Sequence, residues 1–199
     1  MSTPARTTSR PSDAAESAPV VTVRPRRSRV LIATLLLGLL APLFSVASPA
    51  EAAGVKARTK YERSIQNSVL KLINAQRKAH HLPRVKMNKH LQVSARRHNA
   101  SMARANQMSH RVRGEAEFSR RISKAGYNWS WVGENIAWNS QMNRKGVLVL
   151  QKLMYNERAP YDGHRQNILS RHFREVGVDV YFDRKHHKVW LTTDFGHRR

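Results

Sequence analysis

Three stretches of this 199-residue chain set ionisable side chains among small and polar neighbours inside otherwise ordered sequence. They are Met108-Ser109-His110, Gly133-Glu134-Asn135-Ile136-Ala137, and Asn156-Glu157 continuing to Asp162-Gly163-His164-Arg165-Gln166-Asn167-Ile168-Leu169. Glu134 is flanked by Val132 and Ile136, and strand alternation puts all three on one face. A carboxylate on a buried face must be paired or hydrogen-bonded, and a histidine or a bound cation would serve. The alternative is a solvent-facing glutamate at a strand end. His164 follows Gly163 at a tight turn and opens a short helix, which either holds its ring rigidly or uses it as a helix cap. Pro160 and Gly163 forbid a continuous helix between Glu157 and His164, so their spacing is not a helical one. No His-Glu-x-x-His pattern occurs, which excludes a standard zinc-protease helix. The chain has no cysteine. Thiol nucleophiles and thiolate metal sites are therefore absent, and packing or a bound ion must do the work of disulfides.

The elements that must position these residues follow from periodicity. Residues 61–79 predict an amphipathic helix with Ile65, Val69, Leu72, Ile73 and Gln76 on one face. His80-His81-Leu82-Pro83 ends it. Val85 and Met87 lead into a second helix, N-capped by Asn88, with Leu91, Ala95, His98 and Met102 on one face and an end near Gln107. Ala116 to Lys124 predicts a third helix, stopped by Gly126. Trp129 to Trp138 reads as a strand, Asn143 to Glu157 as a fourth helix with Val147, Leu150 and Met154 inward, and Gly163 to Ser170 as a short helical turn. Glu175–Phe182 and Lys188–Phe195 form a closing hairpin around Asp183–His187. Helices first and a hairpin last predict an α+β fold, with helices packed on a small antiparallel sheet.

The first part of the chain does not read as a folded unit. A basic cluster (Arg24, Arg26, Arg27, Arg29) precedes an uncharged apolar run from Val30 to about Val46, and small residues follow. This is the pattern of a secretory signal, with Ala50-Glu51-Ala52 as the cleavage pattern and Ala53 as the first mature residue. An uncleaved membrane anchor is the competing reading, although the run is short for a span and contains Pro42. Arg29 stands where a twin-arginine signal wants an apolar residue. The organisation expected is a leader over 1–52, a linker over 53–60 and one domain over 61–199. The chain carries 36 Lys and Arg against 13 Asp and Glu, a net +23. Most of that charge lies after the leader, as do all ten histidines. Such a field draws in anionic partners. The basic residues are scattered as pairs, among them Arg96-Arg97, Arg120-Arg121 and Arg144-Lys145, without a nucleic-acid motif. A solvated surface is expected, not a specific nucleic-acid site.

Taken together and in order, these segments resemble the CAP superfamily, the SCP-like extracellular domains of cysteine-rich secretory, antigen 5 and pathogenesis-related proteins. The resemblance is to the bacterial, cysteine-free branch and covers about residues 62–196. Leu72-Ile73-Asn74 with Arg77 matches the first helix, and Ala95 to Met102 with Ser109-His110 the second. Ala125-Gly126-Tyr127 running into Gly133-Glu134-Asn135-Ile136-Ala137 matches the central motif. Gly163-His164-Arg165-Gln166-Asn167-Ile168-Leu169, Glu175-Val176-Gly177-Val178 and Thr193-Asp194-Phe195-Gly196 match the rest.

The resemblance implies an α-β-α sandwich with a cleft lined by two histidines and two glutamates. His110 and His164 match the histidines, Glu134 the first glutamate and Glu157 the second. His98 matches a helix histidine of the bacterial branch, in the core or behind the cleft. Leu153-Met154-Tyr155 stands where the family usually has a tryptophan. In such a cleft two imidazoles can hold Zn²⁺ or another divalent cation, with water in the open positions and the glutamates orienting ring N–H groups. From the same constellation, Glu134, Glu157 and His164 could supply the acid and the base of a hydrolysis. Ser109 adjoins His110 only in sequence, which does not aim its hydroxyl at the ring. Three functions follow as expectations. The first is a secreted or envelope-associated binding protein for a lipid or protein ligand. The second is a metal-assisted hydrolase of envelope polymer or peptide. The third is a basic adhesion module whose His/Glu cluster is structural. The partners expected are anionic envelope components, lipid or protein, with membrane contact only through an uncleaved leader.

Overall fold

A computed structural model describes residues 58–199, so the expected leader and its cleavage pattern lie outside the described residues. The elements run α1 (Lys60–Ala79), β1 (Lys86–Met87), α2 (Lys89–Ala105), α3 (Phe118–Lys124), β2 (Trp129–Asn139), α4 (Arg144–Tyr155), α5 (Gly163–Leu169), β3 (Glu175–Asp183) and β4 (Lys188–Arg198). The sheet order is β1-β3-β4-β2.

Local signals start the helices. Thr59 and Glu62 form a reciprocal capping box on α1, with the Thr59 amide donating to Glu62 Oε2 at 2.7 Å and the Glu62 amide to Thr59 Oγ1 at 3.1 Å. Asn88 accepts from the His90 and Leu91 amides as the cap of α2. Asn143 caps α4 by accepting from Gly146. The second helix stops at Ala105, short of the expected Gln107, because Asn106 adopts the left-handed conformation (φ 49°) that closes a helix.

The sheet has an α2–α3 layer on one face and an α1–α4–α5 layer on the other. Val176, Val178, Val180, Leu191 and Phe195 face Ile65, Val69, Ile73, Val147, Leu150 and Ile168 in the larger core. On the opposite face Ile136 and Trp190 meet Met102 of α2, and Val132 meets Leu91, Phe118 and Ile122. Each fully buried aliphatic side chain contributes about 1.5–3 kcal/mol, which is how a fold without disulfides is held. The α+β class and α-β-α layering agree with the sequence. The hairpin β3–β4 and the β2–β4 pairing are antiparallel. The sheet as a whole is mixed, because β1 pairs with β3 in parallel. At two residues β1 is too short to show a strand pattern.

Gly177 allows the closest layer contact. A Cβ there would lie 2.1 Å from the Leu91 carbonyl carbon, so α2 can rest on β3 only where the strand has no side chain.

Candidate functional site

Glu134 sits on the sheet face covered by α2 and α3, between Val132 and Ile136, and is 1% exposed. It is not solvent-facing. Its carboxylate is held from both sides. His110 Nδ1 lies 2.8 Å from Oε1, and Arg121 of α3 donates from Nη2 to Oε2. Burial opposes ionisation of Glu134, but the charges of His98 and Arg121 and the hydrogen bond from His110 outweigh it. They hold its carboxyl well below the usual range. Arg121 also donates from Nη1 to the main-chain carbonyls of His110 (2.8 Å) and Ala116 (3.1 Å), fixing the loop that carries His110.

His98 is fully buried. Its Nδ1 bonds Glu115 Oε2 at 2.9 Å, and its Nε2 lies 3.8 Å from Glu134 Oε1, too far for a hydrogen bond. It is therefore a core residue behind the Glu134 carboxylate, one of the two places the sequence allowed it.

The second pair is built on α5. His164 is 3% exposed, and its Nδ1 lies 2.5 Å from Glu157 Oε1. The other Glu157 oxygen accepts from the His164 amide at 2.9 Å and the Arg165 amide at 3.4 Å. One carboxylate thus orients the ring and satisfies amides that the start of a helix leaves free. The sequence set Glu157 at the end of the fourth helix. In the structure α4 stops at Tyr155, with Asn156 as its C-cap, and this frees Glu157 to turn back onto His164.

The two pairs are tied through main chain. Asn167 of α5 donates from Nδ2 to the Glu134 carbonyl (3.2 Å) and to Asn135 Oδ1 (2.8 Å), and Asn135 Nδ2 donates to the His164 carbonyl (3.1 Å). Gly133 makes room for this. A Cβ there would stand 2.7 Å from Asn167 Oδ1.

Both histidines share one geometry. Each turns Nδ1 to an acceptor-only carboxylate, which places the ring hydrogen on Nδ1 and, in the neutral imidazole, leaves a lone pair on Nε2. Both Nε2 atoms are shielded from solvent and without a hydrogen-bond partner. A carboxylate behind a histidine that presents a free nitrogen is the arrangement that orients metal-ligating imidazoles. Among the described residues no group of three or more His, Cys, Asp or Glu side chains could hold a metal ion. Any cation held here would have to rest on the two imidazoles, with water completing its shell.

Ser109 is engaged elsewhere. Its hydroxyl donates to the Arg111 carbonyl at 2.9 Å and accepts from the Arg111 amide at 3.1 Å.

Arg121 is the correction to the sequence reading. Counted there with Arg120 as scattered surface charge, it is 8% exposed and central to the site. Its spacing from Phe118 and its place beside Ile122 put it on the buried face of α3, a signal the paired-arginine pattern hid. Glu115 and Asp194 were also missed as parts of the site. Asp194 is the direct β4 partner of Glu134.

The crystal structure of an extracellular protein containing an SCP domain, from Bacillus anthracis, matches with a TM-score of 0.59 and 26% identity, over 72% of this chain and 45% of that one. An outer surface protein of Borrelia burgdorferi matches with a TM-score of 0.59 and 16% identity, over 72% of this chain and 98% of that one. A cysteine-rich secretory protein of Staphylococcus aureus gives 0.52 and 20%, over 72% of this chain and 42% of that one. The chain thus spans less than half the length of the Bacillus and Staphylococcus proteins. Among curated proteins no sequence matches it. The model of the CAP (cysteine-rich secretory protein) family matches residues 70–195, which contain all four His and Glu residues of the two pairs, and the chain, although it has no cysteine, belongs to that family.

Proposed function

We propose that this is an exported CAP-domain binding protein whose His110 and His164 hold a divalent cation, Zn²⁺ or a similar ion, with Glu134 and Glu157 orienting the two rings. One observation carries the reading. Two histidines far apart in sequence are each fixed through Nδ1 by a glutamate and each keep a buried, unpartnered Nε2. A buried polar atom without a partner is costly, and a ligated ion would relieve it. When bound, the ion would supply a Lewis-acidic centre with open positions for a ligand oxygen. The chain's own residues hold the rings in place, and Arg121 keeps Glu134 ionised. A lipid or protein ligand, and an extracellular or envelope location, fit the family and the extracellular Bacillus relative.

Isothermal calorimetry of Zn²⁺ binding tests the reading. The wild-type protein should bind one ion, and His110→Ala and His164→Ala should each abolish binding while circular dichroism shows an intact fold. Undiminished binding in both variants would remove the assignment. The alternative, a metal-assisted hydrolase using Glu134, Glu157 and His164 as acid and base, has less support, because both carboxylates are already engaged in orienting histidine rings and, for Glu134, in bonding Arg121. Release of product from cell-wall or peptide substrates, stopped by Glu134→Gln, would favour it.

A further inference from the structure

The α1–α4 layer has an outer face that its own fold does not use. The two helices run side by side in the same direction. Near their starts, Tyr61 Oη accepts from the Arg144 amide (3.1 Å) and Arg144 bonds Ser64 and Ser68. Near their ends, Gln151 bonds Gln76 (3.0 Å) and Tyr155 bonds His80 (3.0 Å). Val147, Leu150 and Met154 of α4 are buried against the sheet. The opposite stripe, at helical spacing, is Lys145, Val149, Lys152 and Leu153, all exposed. A surface helix ordinarily turns polar groups outward. Here Val149 is 37% and Leu153 43% exposed, and Tyr61 beside them is 49% exposed. Of the four large hydrophobic side chains exposed among the described residues, three lie on this layer. A shallow groove of about 540 Å³ runs between Tyr61 and α4, with Leu148 and Val149 in it and Arg144, Lys145 and Lys152 along it.

The charge on the face is of one sign. α4 contains no acidic residue, and the single acid of α1, Glu62, is buried in the capping box. Exposed Lys71 and Lys78 of α1 add to the field. Apolar side chains ringed by lysines fit an interface with lipid headgroups, where aliphatic groups enter the acyl boundary and cations meet phosphate. A second copy of the chain would bring like charge against like.

We propose that the outer face of the α1–α4 layer docks the protein on an anionic lipid bilayer, through Val149 and Leu153 with Lys145 and Lys152 around them. This face is separate from the His/Glu pairs and does not depend on the cation reading. It would give the folded domain membrane contact of its own, beyond the contact through the leader that the sequence suggested.

The absence of cysteine allows a position-specific test. Full-length Val149→Cys, Leu153→Cys and Arg97→Cys variants each carry one thiol, which takes an environment-sensitive fluorophore. They are mixed with vesicles of phosphatidylglycerol and phosphatidylcholine, or of phosphatidylcholine alone. The leader is common to all three, so the labels report which face meets the bilayer. The labels at 149 and 153 should shift to the blue and be quenched by a lipid-borne quencher on anionic vesicles only, while the label at 97, on the opposite helical layer, stays water-exposed. Adding Lys145→Glu and Lys152→Glu to Val149→Cys should raise the anionic lipid needed for half the response about tenfold or more. A label at 97 that responds as strongly as the one at 149 would show non-specific adhesion and overturn the proposal. So would a water-exposed label at 149 on vesicle-bound protein, or an equal response on neutral vesicles. Thermal melts of the labelled variants, matched to wild type, confirm that the face is read on folded protein.

Discussion

Glu134 on β2 and Asp194 on β4 are direct register partners, both sealed from solvent, and their surroundings shift their ionisation in opposite directions. Glu134 is kept ionised by its cationic neighbours. Asp194 is pushed well above the ordinary carboxylate range by burial and by the charge on Glu134, which together outweigh Arg121. Two close carboxyls cannot both ionise in a dry site, and the one bonded to His110 and Arg121 keeps the charge.

This predicts a pH signature. An unfolded aspartate ionises near pH 4, whereas folded Asp194 stays protonated above that. Folding therefore takes up a proton between the two pKa values, and the Asp194 contribution falls as pH rises through that window. Asp194→Asn keeps a neutral group of the same shape and removes the uptake. In urea denaturation, its stability relative to wild type should rise with pH by about 1.4 kcal/mol per unit across the window, then level off. A difference that stays flat from acid to neutral pH would show that Asp194 is ionised in the fold. Glu134 has the opposite sign. Its contribution is present above the unfolded glutamate pKa and is lost as pH falls toward its depressed folded value.

The two glutamates should differ when neutralised. Glu134 is 1% exposed and is the acceptor for Arg121, so Glu134→Gln leaves a buried guanidinium without its counter-charge. The cost expected is about 3–5 kcal/mol, read as a lower urea midpoint. Glu157 has a 13% exposed side chain and faces a polar cavity shared with Arg158, Asp162 and Arg165. Glu157→Gln should cost about 1 kcal/mol in stability. On the proposed function it should also weaken Zn²⁺ binding about 10–100-fold by calorimetry, because His164 loses its orienting acceptor. Equal stability losses in the two variants would contradict the burial difference.

Arg77 joins α1 to the segment that follows α5. It is fully buried and bonds only main-chain carbonyls: Nε to Pro83 (2.8 Å), Nη1 to Ile168 (2.8 Å) and Ser170 (3.0 Å), and Nη2 to Phe173 (3.2 Å). Burial, with Arg174 nearby, lowers its pKa to about 10, so it remains charged at neutral pH. A lysine cannot span this fork. Arg77→Lys should destabilise by about 3 kcal/mol, a value set by the carbonyls left unsatisfied. Because the same residue holds the C-terminal side of α5, hydrogen exchange should rise first at Ile168–Phe173. A variant as stable as wild type would mean that water replaces the guanidinium.

Much of this was readable in the sequence because it is written in periodicity. The apolar stripes of α1, α2 and α4, the Asn88 cap and the β3–β4 hairpin need only neighbouring residues to be recognised. The His/Glu segments were recognisable for their composition, and Glu134 for its place between Val132 and Ile136. Other features depend on partners distant in sequence. β1 is defined by its pairing to Glu175 and Val176, which two residues cannot announce. Arg121 looks like surface charge until Glu134 is placed opposite it. Asp194 lies on a strand buried on both faces, where alternation between inside and outside vanishes. The ring orientations of His110 and His164 follow from carboxylates brought to them by the tertiary fold, Glu134 from β2 onto a loop histidine and Glu157 from the turn after α4, and no spacing rule encodes them.

Arg58 and Asp179 anchor the chain just before α1. The guanidinium donates to both carboxylate oxygens, from Nε at 2.9 and 3.2 Å and from Nη2 at 2.6 Å, with both residues buried. Asp179 also accepts from Asn99 at 2.9 Å and Gln66 at 3.2 Å, and Arg96 stands 3.9 Å away. The asymmetry of these surroundings predicts an asymmetric mutational cost. Asp179→Ala strands Arg58, Asn99 and Gln66 together and should cost about 3–5 kcal/mol. Arg58→Ala leaves the carboxylate with two amide donors and with Arg96 close enough to move in, so it should cost about half as much. The double variant should resemble Asp179→Ala alone, because the second change removes a charge that the first left unpaired. Urea midpoints for the three variants check this. Strict additivity would mean that Arg58 and Asp179 contribute to the fold independently and that the bidentate pair is not what ties the start of the domain to β3.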